Sequence, residues 1–130
     1  MIYLSGPITP RHGRTIEQHI DAARAVYLRF VRAGIPMYCP HLEAAHPDVQ
    51  AVPYEDWIRY DLAVLEHCAA VLTLPDWEDS RGAVREVAHA ITMGVPVFHN
   101  EADVALFVAR SENAPVCDSN SAPKADALPG

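Results

Sequence analysis

The stretch AAVLTLPDWEDSRGAVREVAHAITMGVPVF, residues 69–98, reads in a single pass as strand, loop, helix and strand. Residues 69–74 are short and almost wholly apolar, as expected of a central strand covered on both faces. Pro75 stops the strand, residues 75–79 predict a loop, and Ser80 supplies the hydroxyl that a helix N-cap needs. The helix then runs over 80–93, and Gly94 stands where a left-handed terminator belongs. Residues 95–98 form the next strand. A strand–helix–strand unit of this kind makes parallel neighbours.

Working outward, the same alternation repeats. Ile2 to Ser5 is a short apolar strand ending in Gly6-Pro7. Thr15 opens a helix, with Gln18 three residues on to complete a capping box. Ile16, Ile20, Ala23, Tyr27 and Val31 keep helical spacing, and Gly34 ends the run. Residues 35–39 predict a second strand, and 40–53, with three prolines and no period, a long loop. Loops of that length in compact domains usually carry function. A helix over 54–67 precedes the central strand, and a last short helix covers 101–110.

Four or five parallel strands so connected predict a doubly wound α/β fold, Rossmann-like in character. The expected strand order is 2-1-3-4, in a three-layer αβα sandwich. Residues 1–110 make one domain. From 111 to 130 the composition turns to Ser, Asn, Ala and Pro, too poor in large apolar groups to offset ordering entropy, and predicts a disordered tail. Ligands of such sheets sit beyond the carboxyl ends of the strands. The loops over 6–13 and 75–80 therefore matter most.

Composition narrows the partners. The 130 residues include ten Lys and Arg against seventeen Asp and Glu, a formal net charge of −7. That balance argues against a nucleic-acid polymer, which favours a basic face. No apolar run approaches the roughly 20 residues that cross a bilayer, so no membrane partner is expected. Three cysteines without a CxxC pair fit reduced thiols in the cytoplasm. A small anion remains a reasonable ligand, because free N–H groups at a helix start can hold one phosphate.

The chemistry-bearing residues cluster near those loops. Ser80 and Gly82 make a plausible phosphate cradle at the start of the third long helix. Glu86 lies roughly 9 Å further along the axis, the reach of a sugar and its phosphate. On this reading Val84, Val87, Ala88 and Ile91 cover the buried side, with Glu86 on the side of Gly82 and Ala83. From spacing alone, a capped helix with a solvated glutamate is the simpler account. Asp61 interrupts an apolar stretch. It is either a surface carboxylate or one that faces Glu86, and facing carboxylates push their pKa values apart, as acid/base and nucleophile roles require. Seven histidines raise the question of metal. Neither Cys39 with His41 and His46, nor Glu86 with His89, has a second matching pair of ligands. No metal and no cofactor are expected, and the phosphate-loop, dinucleotide and hydrolase-elbow motifs are all absent.

Together, IYLSGPIT at the start, YEDWIRYDLAVLEHCAAVLTLPDWEDSRGAVREVAHA and GVPVF resemble the nucleoside 2-deoxyribosyltransferase superfamily. The nearest resemblance is to its short bacterial and phage branch, near the 2′-deoxynucleoside 5′-phosphate N-hydrolases. The resemblance implies that Glu86 attacks C1′ to form a covalent glycosyl-enzyme, that Tyr3 orients its carboxylate, and that Asp61 assists proton transfer at the leaving base. It also implies that serine at position 80, where base-exchanging members tend to carry an acid, receives a 5′-phosphate. Gly6, Pro7, Gly82 and Arg11 would complete the substrate site, with Arg14 and Arg81 as nearby cations. Trp77 and the 40–53 loop are expected at the base. The implied activity is hydrolysis of a (deoxy)nucleoside 5′-monophosphate. Base exchange by a deoxyribosyltransferase is one alternative, and a non-catalytic nucleotide-binding module another. A homodimer or larger homo-oligomer is the family expectation.

Overall fold

The computed structural model describes residues 1–10, 13–43, 48 and 51–112. The chain runs β1 (Ile2–Ser5), α1 (Ile16–Arg32), β2 (Met37–Tyr38), α2 (Pro40–Glu43), α3 (Tyr54–Leu65), β3 (Ala70–Thr73), a 3-10 turn (Trp77–Asp79), α4 (Arg81–Met93), β4 (Val97–Phe98) and α5 (Glu101–Glu112). The four strands form one sheet in the order β2-β1-β3-β4. Every pairing is parallel, with Tyr3 opposite both Tyr38 and Val71, and Leu72 opposite Phe98. This is the expected doubly wound arrangement.

Strand periodicity divides the core in two. Ile2, Leu4, Ala70 and Leu72 face one side, where Ala23, Val26 and Phe30 of α1 and Val104 of α5 cover them. Tyr3 and Val71 face the other, against Leu65 at the end of α3 and Ala90 of α4. Both faces are buried, which is why the two central strands read as unbroken apolar runs. Ser5 and Thr73 continue the second series and are buried too. The sequence thus places hydroxyls at the carboxyl end of an otherwise apolar sheet.

The predicted caps form. Thr15 Oγ1 accepts from Gln18 N–H at 3.1 Å while Gln18 Oε1 accepts from the Thr15 N–H at 2.9 Å. Ser80 Oγ accepts from the Ala83 N–H at 3.2 Å. Gly94 closes α4 at φ +76°, a conformation that costs a residue with a Cβ far more than glycine.

Several expectations need correction. The buried face of α1 is His19, Ile20, Ala23, Val26 and Phe30, whereas Val31 is exposed. On α4 the buried residues are Ala83, Glu86, Val87 and Ala90, and Ile91 is 69 % exposed. Val84 and Ala88 are exposed as well, so the helix is turned to bring Glu86 inward. Part of the long 40–53 loop is the short helix α2, and the outer strands β2 and β4 are only two residues each. Helix α5 continues to Glu112, two residues into the stretch read as a tail. The remainder of that tail, 113–130, lies outside the described residues, as do Arg11 and loop residues 44–47, 49 and 50.

Candidate active site

The carboxyl ends of β1 and β3 and the first turns of α4 meet around Glu86. The glutamate is only 7 % exposed. Its Oε2 accepts a hydrogen bond from Tyr3 Oη at 2.7 Å, and its Oε1 accepts one from Ser5 Oγ at 2.6 Å. Tyr3 and Ser5 are two residues apart on one strand, so their side chains project to the same face and reach the two oxygens of one carboxylate. Burial pushes the Glu86 carboxyl up to about 7; the Ser5 and Tyr3 hydrogen bonds oppose that rise and the charge of Asp61 adds to it. Burial and the neighbouring acids Glu86 and Asp61 hold the Tyr3 phenol well above its ordinary range. Tyr3 is therefore a neutral donor at any working pH.

Asp61 lies on the inner face of α3 with Ile58 and Leu65. Tyr38 Oη donates to its Oδ1 at 3.0 Å. Burial raises the Asp61 carboxyl to about 6, the Tyr38 hydrogen bond pulls against that rise, and Glu43 adds to it. Register explains the pairing. Tyr38 stands beside Tyr3 across β2 and β1, with ring centroids 5.5 Å apart, so two phenols side by side each serve one carboxylate.

These groups open onto a cavity of about 460 Å³. Glu86, Asp61 and His41 line it, with Gly6, Ser80, Arg81 and Gly82 nearer α4 and Ile8, Trp57 and Ile58 supplying apolar wall. His41 is fully buried, and its Nε2 lies 3.0 Å from the Pro7 carbonyl. Burial lowers its pKa to about 4, so near neutrality the ring is uncharged and Nε2–H is the group that can donate to that carbonyl. Its Nδ1 is buried and has no hydrogen-bond partner among the described residues.

The two expected glycines differ in kind. A Cβ at Gly6 would fall 2.7 Å from Leu74 Cβ, so glycine there is demanded by close packing of the loops after β1 and β3. A Cβ at Gly82 would meet only Tyr54 Oη, at 3.5 Å. Packing within the chain leaves space there, and glycine keeps the cavity wall low beside the free N–H groups of α4. Arg81, the first residue of α4, holds its guanidinium 5.1 Å from the centre of the Tyr54 ring.

Other expected residues lie elsewhere. Trp77 does not line this cavity: its ring stacks on His99 at 5.6 Å and 11°, in a separate depression. Trp57 is the tryptophan at the cavity. Pro7 takes part through its carbonyl, as the partner of His41, and Arg14 lines a different hollow. His89 pairs with Glu66 at 2.7 Å, and no three His, Cys, Asp or Glu among the described residues are grouped to hold a metal ion. Sequence reasoning missed Ser5, Tyr38, His41 and Trp57. For Ser5 a signal existed, since period two from Tyr3 puts it on the same face.

The topology and the site together define a doubly wound, Rossmann-like α/β protein with a buried carboxylate pair at the carboxyl ends of its strands. The chain belongs to the family described as domain of unknown function DUF4406, whose model matches residues 1–99. That span contains all four strands and every cavity residue named above. No curated protein and no solved structure matches the chain.

Proposed function

We propose that this protein is an N-glycosidase that hydrolyses a (deoxy)nucleoside 5′-monophosphate to the free base and the sugar 5-phosphate. The observation that carries this reading is the Glu86 carboxylate, buried at a cavity wall with a hydroxyl donor on each oxygen. A carboxylate held this way is poor as a structural ion, because burial penalises its charge, and well suited as an oriented nucleophile. The resemblance to nucleoside 2-deoxyribosyltransferases supports the same assignment.

In the first step Glu86 attacks C1′ as the bond from C1′ to the base nitrogen breaks. The bonding electrons leave with the base, which takes a proton from Asp61. In the second step water attacks C1′ of the glycosyl ester, Glu86 departs as carboxylate, and Asp61 recovers the proton. Atoms and charge balance over the two steps, and the configuration at C1′ is retained. The productive form of the pair therefore has Glu86 ionised and Asp61 protonated. Ser80, the first-turn N–H groups of α4 and Arg81 form the end suited to a phosphate. Trp57 and Ile58 provide apolar surface for a base. Substrate, compartment and assembly follow the same reading: a small nucleotide, the cytoplasm, where the buried thiols Cys39 and Cys68 would stay reduced, and a homo-oligomer.

Incubation with a panel of ribo- and deoxyribonucleoside monophosphates, with chromatography of the released base, tests the proposal. Base release dependent on Glu86 supports it. A new nucleoside formed when a second free base is added would mark a transferase instead. Binding without turnover across the panel would mark a non-catalytic module.

A further inference from the structure

Ser5 is the last residue of β1 and is completely buried, and its hydroxyl donates to Glu86 Oε1 at 2.6 Å. A hydroxyl buried in an otherwise apolar sheet needs a hydrogen-bond partner, and Glu86 is the one it has. We infer that Ser5 is a positioning residue that, with Tyr3, fixes the plane of the Glu86 carboxylate and favours its charged form. This rests on the glycosidase reading for its catalytic meaning.

A single donor leaves a carboxylate free to swing about that one hydrogen bond. A second donor on the other oxygen fixes the plane and hence the direction of the remaining lone pairs. The Tyr3 bond comes from a phenol anchored in the sheet, and the Ser5 bond from the strand end two residues on, so the backbone of β1 sets both anchor points. Hydrogen bonds to a charged form favour it, and both hydroxyls counter the burial that would otherwise protonate Glu86. Among the described residues, the groups that act on Glu86 are few. Tyr3 and Ser5 come from β1 and Asp61 from α3, with Tyr38 of β2 acting through Asp61. The same cavity is lined by His41 and Glu43 of α2 and by Arg81 of α4. Among these, Tyr3 and Ser5 are both fully buried and both donate to the carboxylate, one to each oxygen.

The test uses the full chain carrying ¹³C at its glutamate side-chain carboxyls. The Glu86 signal is assigned by its loss in Glu86→Gln and titrated by NMR in wild type, Ser5→Ala and Ser5→Cys. Loss of a hydrogen bond to a charged group should move the Glu86 midpoint upward by about one pH unit or more in Ser5→Ala. Ser5→Cys fills the space with a weaker donor, so its midpoint should rise as well, by less, and it decides the matter if the alanine variant does not fold. A packing role would change melting temperature and leave the midpoint in place. A midpoint within about 0.3 units of wild type in a folded variant overturns the inference. The titration needs no turnover, which keeps the two readings separable. A Ser5-dependent midpoint in a protein that releases no base leaves Ser5 in its role and removes the glycosidase reading. Base release with a Glu86 midpoint indifferent to Ser5 does the reverse.

Discussion

Each of the two central carboxylates is matched to a phenol, Glu86 to Tyr3 and Asp61 to Tyr38, and these pairs fix what single substitutions should do. With the Glu86 carboxyl near 7 and that of Asp61 near 6, the pair sheds its protons over a narrow span, and the two steps belong to the pair. The proposed reaction needs Glu86 ionised and Asp61 protonated, which at these values is the minor of the two one-proton forms of the pair. The rate should therefore fall on the acid side as the pair takes up a second proton and on the alkaline side as it loses its last. A narrow bell in kcat/KM, centred between about pH 6 and 7, is expected. Tyr38→Phe removes a donor that favours ionised Asp61, so more of the one-proton form carries its proton on Asp61 and the bell, its acid limb most of all, should move to higher pH. A flat profile from pH 6 to about 9 would take Asp61 out of the proton transfer. Tyr3→Phe acts instead on Glu86, the proposed nucleophile. One hydrogen bond to a carboxylate is worth about 1.5–3 kcal/mol, so kcat should drop roughly ten- to a hundredfold while KM changes little. Equal losses in substrate affinity and rate would mean that the phenol serves binding.

At the scale of the elements, α4 does two jobs, and the sequence showed only one of them plainly. Its N-cap and C-terminal glycine were legible because Ser80 and Gly94 have local physical causes, a side-chain hydrogen bond and a positive φ. Its inner face was not. Hydropathy assigned Val84 and Ile91 to the core, yet the helix turns them outward and buries Glu86, because two strand hydroxyls stabilise the carboxylate there. Pattern reading cannot foresee that without knowing which strand lies opposite. Trp77, expected at the base, stacks on His99 away from this cavity, a contact between distant stretches that local pattern does not reveal. The strand order, by contrast, followed from the alternation of strands and helices together with the handedness of parallel crossovers. The phosphate assignment is a property of this element. Ser80→Asp keeps a good N-cap, so the fold should survive. A carboxylate at the start of α4 would repel a phosphate dianion and accept a hydrogen bond from a sugar hydroxyl. The ratio of monophosphate to nucleoside cleavage should fall by about two orders of magnitude, some 2.8 kcal/mol. An unchanged ratio in the folded variant would move the phosphate away from α4 and favour the transferase.

Across the whole molecule, a buried carboxyl costs stability where it is ionised, and the sign of the effect follows from its shift. A carboxyl whose folded pKa is raised from 4.5 to about 7 binds its proton more tightly folded than unfolded. Folding is then weakened as pH rises through that window, and stability returns as pH falls from about 7 to 4.5. Asp61 acts in the same direction between about 6 and 3.8. His41 opposes them, because its folded pKa is lowered from 6.5 to about 4 and stability is lost as pH falls through that range. Between pH 8 and 6.5 Glu86 dominates, so the melting temperature should rise on mild acidification. Glu86→Gln isolates its share. The amide can accept from one hydroxyl and donate to the other, so Tyr3 and Ser5 both keep partners, and no charge is buried. At pH 8 this variant should release no base and yet melt higher than wild type. A shift of about 2.5 units corresponds to an upper bound of about 3 kcal/mol, and 1 kcal/mol moves a small domain by roughly 4–8 °C. A gain of at least about 5 °C at pH 8, shrinking towards zero at pH 5 where wild-type Glu86 is itself protonated, is the expected result of thermal scans at the two pH values. A lower melting temperature at pH 8 would make Glu86 an anchor of the fold, and its loss of turnover would then say nothing about nucleophilic attack.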